Sequence, residues 1–205
     1  MTLDQYRSLA DRLLEPFVGL AVRAGLTPNA VSVLAFALAG GAGVAYTLVG
    51  GESVWYFVGA VLVGLNGALD LLDGALARRL DTASRAGDLL DHVLDRYADI
   101  VLVVGLAVGI DREVLGIVAV TGVLMTSYLG TQAQAVGLDR VYGGLLGRAD
   151  RLALIGIVTG LAAFVQFSIL DVSLVGWLLV VLAVVGHLTA LQRLSHAWSA
   201  LSPGR

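Results

Sequence analysis

The chain has no cysteine and no lysine. The first absence excludes a disulfide, a thiolate metal site and a cysteine nucleophile. The second excludes Schiff-base chemistry, and all 13 basic residues are arginine. Charge of either sign is scarce: 14% of residues are charged, against about 25% in an ordinary soluble domain. What is there instead is apolar. Mean hydropathy is +0.86, and several stretches reach or approach the roughly 20 residues that cross a bilayer. The composition predicts an all-α integral membrane protein in a single domain, 1–205. With a net charge of −3, no nucleic-acid partner is expected.

Six transmembrane helices are predicted, preceded by an amphipathic interfacial helix. Residues 3–24 place Leu9, Leu13, Leu14, Phe17 and Leu20 on one helical face and charges on the other. That pattern fits a helix lying on the membrane surface, bent near Pro16. Its charges also argue against a cleaved secretory signal. Gly25 and the Thr27-Pro28-Asn29 triplet end this helix and cap the next. The spans are placed at 30–49, 54–79, 87–110, 114–136, 152–169 and 172–191, with polar loops at 80–86 and 137–151. Eleven arginines fall on the side of the termini and only Arg112 on the other; Arg96 lies within a span. By the positive-inside rule both termini face the cytoplasm, and the expected location is the cell membrane.

The polar exception is DLLDGALARRLDTASRAGDLLDHVLD at 70–95, which holds six aspartates. Asp70 and Asp73 are three apart at the cytoplasmic end of the second span. Asp91 and Asp95 are four apart near the start of the third. Residues three or four apart share a helix face, and the short loop makes the two spans antiparallel neighbours, so four carboxylates converge. A lone aspartate in a span costs about 2.5–3.5 kcal/mol on insertion scales. The expected compensation is divalent cation, and all-oxygen sites suit Mg²⁺ or Mn²⁺. Four carboxylates can neutralise two ions, the usual clamp for phosphoryl displacement, with one carboxylate left to take a proton from a hydroxyl. Gly74 and Ala77 form a small-residue floor beside the cluster, and Gly87 opens the third span. Asp81 and Asp88 read as loop and helix-start residues, Asp99 as structural support, and His92 as a neighbour rather than a ligand.

Asp70-x2-Asp73-Gly74-x2-Ala77-Arg78-x8-Gly87-x3-Asp91-x3-Asp95 resembles the complete signature of the CDP-alcohol phosphotransferases (CDP-alcohol phosphatidyltransferases), with the layout of that family's anionic-phospholipid-synthesising branch. The resemblance implies a membrane enzyme of phospholipid biosynthesis, usually a homodimer. Such an enzyme displaces CMP from a CDP-linked lipid, CDP-diacylglycerol or CDP-archaeol, with the hydroxyl of a small polar alcohol. It implies that Asp70, Asp73, Asp91 and Asp95 bind metal, that Asp95 is also the general base, and that Gly74, Ala77, Arg78 and Gly87 lie along the CDP moiety.

The acceptor falls outside this motif. Arg148 and Arg151 start the fifth span on one face, and Arg193 ends the sixth; together they are the candidate binders of a phosphorylated acceptor. For Arg148 and Arg151 the competing reading is plain positive-inside anchoring. Glycerol 3-phosphate is the first expectation. Inositol phosphate is the alternative, because DHVLD at 91–95 departs from the DSTLD-like wording associated with inositol-phosphate members. Serine or another alcohol comes after these. A divalent-cation transporter is the remote reading from another class. The carboxylates cluster at one membrane face, so they line no path across it.

Overall fold

The structure, a computed structural model, describes residues 7–50, 52–139, 145–165 and 168–202, with side chains from Leu13 onward. Seven helices run in the order α1 (Arg7–Arg23), α2 (Pro28–Thr47), α3 (Val54–Leu80), α4 (Arg85–Gly109), α5 (Glu113–Ala135), α6 (Arg148–Ala162) and α7 (Leu174–Leu201). Between α6 and α7 lie the two-residue strands β1 (Ser168–Ile169) and β2 (Val172–Ser173).

The helix ends follow from local chemistry. Thr27 caps α2, its hydroxyl accepting from the Ala30 amide, and Pro28 takes the first position, where its missing N–H costs nothing. α3 stops at Asp81, whose backbone is left-handed (φ 51°) and whose N–H bonds the Ala77 carbonyl. Three residues later Ser84 caps α4 by accepting from the Gly87 amide at 3.1 Å. Asp81 and Asp88 thus fall at a helix end and in a first helical turn.

Four helices, α2, α3, α5 and α7, are long and apolar enough to cross a membrane, which makes this a multi-pass membrane protein. α4 carries Asp88, Asp91, Asp95, Arg96 and Asp99 in its first fifteen residues. α6 has 15 residues, about 22 Å of helix against a hydrocarbon core of about 30 Å. The fifth span, expected to run to residue 169, therefore stops as a helix at Ala162. The apolar run continues into a hairpin whose turn residues Leu170 and Asp171 both take positive φ, 53° and 58°, the geometry of a tight two-residue hairpin turn. Hydropathy counts these residues as membrane whatever their backbone does. α7 likewise runs ten residues past the expected 191. α1 continues as one helix through Pro16, packing Val18 and Ala21 against Leu72 and Leu76 of α3.

The packing differs from expectation in one consequential way. α2 lies against both α3 and α4, whereas α3 and α4 make little backbone contact with each other. Small residues let α2 wedge in. A Cβ on Gly105 of α4 would collide with the backbone of Gly43 in α2, so the two helices touch main chain to main chain. α5 and α7 cross in the same manner at Gly122 and Gly186, where the Thr126 hydroxyl donates to the Gly186 carbonyl at 2.8 Å. Tyr46, fully buried, ties α2 to α6 through its hydroxyl and that of Thr159, 2.9 Å apart. With α2 as a floor, the ends of α3 and α4 bound a cleft rather than a packed seam.

Candidate active site

The cleft is lined by Ser32, Ala35 and Phe36 of α2, Asn66 and Asp70 of α3, Asp91, Leu94, Asp95 and Ala98 of α4, and Arg148 of α6. Carboxylate oxygens of Asp70, Asp91 and Asp95 all lie within 4.8 Å of one another. Three anionic oxygens in that space repel, and they are the hard donors Mg²⁺ and Mn²⁺ prefer. The donor set therefore fits a divalent cation.

Asp73, expected as a fourth member, lies outside this trio. Three residues advance a helix by about 300°, so Asp73 sits roughly 60° round from Asp70. That turns it toward α2, where its carboxylate, 7% exposed, accepts from the Ser32 hydroxyl at 2.6 Å. Ser32 also bonds the Pro28 carbonyl. Sequence reasoning missed Ser32 and Asn66; the available signal was a polar side chain inside an otherwise apolar span.

The arginines form a chain leading away from the trio. Arg148 bridges two of its members, with one guanidinium nitrogen 2.6 Å from Asp70 and the other 2.8 Å from Asp95. Arg96 lies 3.6 Å from Asp95 and 3.7 Å from Asp99. Arg151 binds Asp99 at 2.7 Å, both side chains 4% exposed. Helix spacing explains the arrangement: Arg148 and Arg151 stand one turn apart in the first turns of α6, facing Asp95 and Asp99, one turn apart on α4. Asp150 fixes the start of α6, its carboxylate accepting from the Gly147 amide at 2.8 Å.

The structure thus separates the three arginines grouped from the sequence. Arg148 is in the cleft. Arg151 is buried in an ion pair behind it. Arg193 donates to the Thr126 carbonyl at 2.7 Å, between α7 and α5. Asp99 supports Arg151 as well as Arg96. His92 lies 3.6 Å from Asp91. Gly74 and Ala77 are half-buried on α3 and Arg78 is exposed. Gly87 has Asn29 and Ser84 side-chain oxygens 3.3 Å from where a Cβ would stand. The side chains of Arg7 and Arg12, and Arg140 and Arg205 entirely, lie outside the described residues.

A family model described as CDP-alcohol phosphatidyltransferase matches residues 25–189. The chain belongs to this family. It is therefore a transferase of substituted phosphate groups, of the kind that builds phospholipids. It is 30% identical over 202 residues to the archaetidylinositol phosphate synthase of Methanothermobacter thermautotrophicus, covering 97% of this chain and 95% of that protein. It is 37% identical over 206 residues to the phosphatidylinositol phosphate synthase of Mycolicibacterium smegmatis, covering 94% of this chain and 86% of that protein. A crystal structure of the Mycobacterium tuberculosis phosphatidylinositol phosphate synthase with CDP-DAG bound matches with a TM-score of 0.79 at 29% identity, over 94% of this chain and 96% of that one. A second, in complex with manganese and citrate, matches with a TM-score of 0.78 at 29% identity, over 92% and 90% of the two chains.

Proposed function

We propose that this chain transfers a lipid-linked phosphate from a CDP-lipid to the hydroxyl of inositol phosphate, releasing CMP. The observation that carries the reading is the carboxylate trio at the family's motif with Arg148 against it. Support for the acceptor comes from the names of the similar proteins, which are synthases of inositol-phosphate lipids with diacyl or archaeal tails. This reverses the order expected from residues 91–95, where glycerol 3-phosphate stood first. His92-Val93 between the two aspartates is a weaker guide to the acceptor than similarity along nearly the whole chain.

In this reading Asp70, Asp91 and Asp95 hold Mg²⁺ or Mn²⁺, with Asp73 beside them for a second ion. The bound metal neutralises pyrophosphate charge and steadies the leaving CMP. Asp95 takes the proton from the attacking hydroxyl. Arg148 presents a forked guanidinium beside Asp95, suited to a phosphate monoester. Arg151, held by Asp99, fixes the first turns of α6 and so the position of Arg148. Arg193 ties α7 to α5 through the Thr126 carbonyl. Gly74, Ala77 and Gly87, small and at the mouth, leave room for the nucleotide, with exposed Arg78 beside it.

The remaining topology belongs to the same proposal. A single domain crosses the cell membrane six times, α4 and α6 completing the set with polar or short helices whose charged ends line the site. α1 lies on the cytoplasmic surface, a position supported by Leu13, Phe17 and Leu20, which are 58–66% exposed along one stripe. Both termini face the cytoplasm, and the protein is a homodimer.

The test is CMP release by the purified protein with CDP-lipid, Mg²⁺ or Mn²⁺, and a panel of inositol phosphate, glycerol 3-phosphate, inositol and serine. Release with inositol phosphate alone is expected. Release driven by glycerol 3-phosphate overturns the acceptor, and no release with any acceptor overturns the reaction.

A further inference from the structure

Asn66 stands one turn before Asp70 on the same face of α3 and is 1% exposed. Its Nδ2 donates to the Ala35 carbonyl at 2.8 Å. Its Oδ1 is buried and meets no donor among the described residues. A buried amide oxygen without a donor is costly, and buried polar groups nearly always have a protein or water partner. Asn66 lines the same cleft as Asp70, Asp91 and Asp95. A water held there needs two to four polar partners. The cleft supplies them: Asn66 Oδ1 on one side and the carboxylates on the other, all acceptors for the two protons of one water.

We propose that Asn66 holds a single ordered water at the floor of the carboxylate trio, and that this water completes the oxygen shell of the divalent cation. The inference rests on the metal reading above and adds a residue outside the family motif. Asn66 is a positioning residue here: it aims a water, and through the water the ion, without touching substrate. The competing role is a plain tether, in which only the Nδ2 bond to Ala35 matters and α3 is simply held to α2.

Two substitutions separate the roles. Asn66→Leu is close in volume and removes both polar atoms. Asn66→Asp keeps an acceptor oxygen and removes the donor to Ala35. Mn²⁺ affinity of the purified full chain would be measured by electron paramagnetic resonance, and the waters on bound Mn²⁺ counted by hyperfine coupling in ¹⁷O-enriched water. Asn66→Leu is expected to raise the Mn²⁺ Kd about tenfold, the lower end for residues that support metal ligands, and to remove one water. Asn66→Asp is expected to keep the water and to bind Mn²⁺ no more weakly than wild type. Unchanged affinity and water count in Asn66→Leu would overturn the proposal, as would equal weakening in both variants, the result a tether predicts. If Asn66→Leu does not fold, Asn66→Val is read in the same way. A wild-type protein that binds no Mn²⁺ would overturn the metal reading itself and this inference with it, whereas wild-type binding lost in Asp95→Asn but unaltered in Asn66→Leu would overturn this inference alone.

Discussion

The two halves of α4 belong to one helix and obey different rules. From Arg85 to Asp99 the helix gathers its charges on one face and meets α6 through ion pairs. From Ile100 to Gly109 it is apolar, and it meets α2 through glycines close enough for main-chain contact. The apolar half is held by shape, where adding atoms does harm. The charged half is held by pairing, where removing one partner does harm, because a buried charge left alone is worse than none. A helix anchored by shape at one end can hold repelling carboxylates at the other, which is what a metal site needs.

The largest way to break this contrast is at the chemistry. Asp95→Asn preserves volume but removes a carboxylate charge and the proposed proton acceptor. We expect CMP release to fall by about 10³-fold, within the range for loss of a general base. The protein should still elute as a folded species in gel filtration. Activity within tenfold of wild type would remove Asp95 from the reaction.

Next comes the buried pair behind it. Asp99→Asn leaves Arg151 charged and without its partner, a change that costs about 3–5 kcal/mol in buried pairs. The melting temperature should drop sharply. Asp99→Leu combined with Arg151→Met should recover part of it, since both charges of the close pair are then gone while Arg96 keeps Asp95. If the double variant is no more stable than Asp99→Asn, the pair is not what holds α6 to α4.

In the apolar half the expected damage is comparable in kind but smaller. Gly105→Val puts a branched side chain into the Gly43 backbone, and overpacking of this sort costs about 1–3 kcal/mol. Thermal unfolding of the purified protein measures it. The catalytic parameters of the surviving folded fraction should stay near wild type, because the strain sits more than a turn from Asp99. A kinetic defect without a stability defect would blur the division between the halves.

How much of this arrangement could be read from the chain depends on the range of the interaction. The helix start at Thr27-Pro28, and the sorting of Asp81 and Asp88 away from the site, are local and were legible; the start of α4 at Ser84 lay inside what read as a loop. The carboxylate spacing marks the face on which Asp70, Asp91 and Asp95 meet, because periodicity fixes which residues share a helix side. Periodicity does not fix which helix that side meets. Hence the wedge of α2 between α3 and α4 was invisible, and with it the Ser32 partner of Asp73, 41 residues distant. The end of α6 was missed because hydropathy does not distinguish an apolar helix from an apolar hairpin. The split of Arg148 from Arg151 was missed because two residues one turn apart can share a face yet pair with different carboxylates, Asp70 and Asp95 for one and Asp99 for the other.

That split gives the smallest and most discriminating test. Arg148 touches Asp70 and Asp95 directly, so in the proposed reading its guanidinium competes with a cation for these carboxylates while offering its remaining donors to an acceptor phosphate. Arg148→Ala should raise KM for inositol phosphate about tenfold, equivalent to about 1.4 kcal/mol, and shift KM for the CDP-lipid much less. Mn²⁺ should bind the variant at least as tightly as wild type, because two carboxylate oxygens are released. Plain membrane anchoring predicts no such asymmetry, since an anchor lost moves both substrates' KM together or neither. A purely structural pairing predicts weaker Mn²⁺ binding as the trio spreads. Acceptor KM up with Mn²⁺ affinity held is the one combination that places Arg148 between the metal and the incoming alcohol.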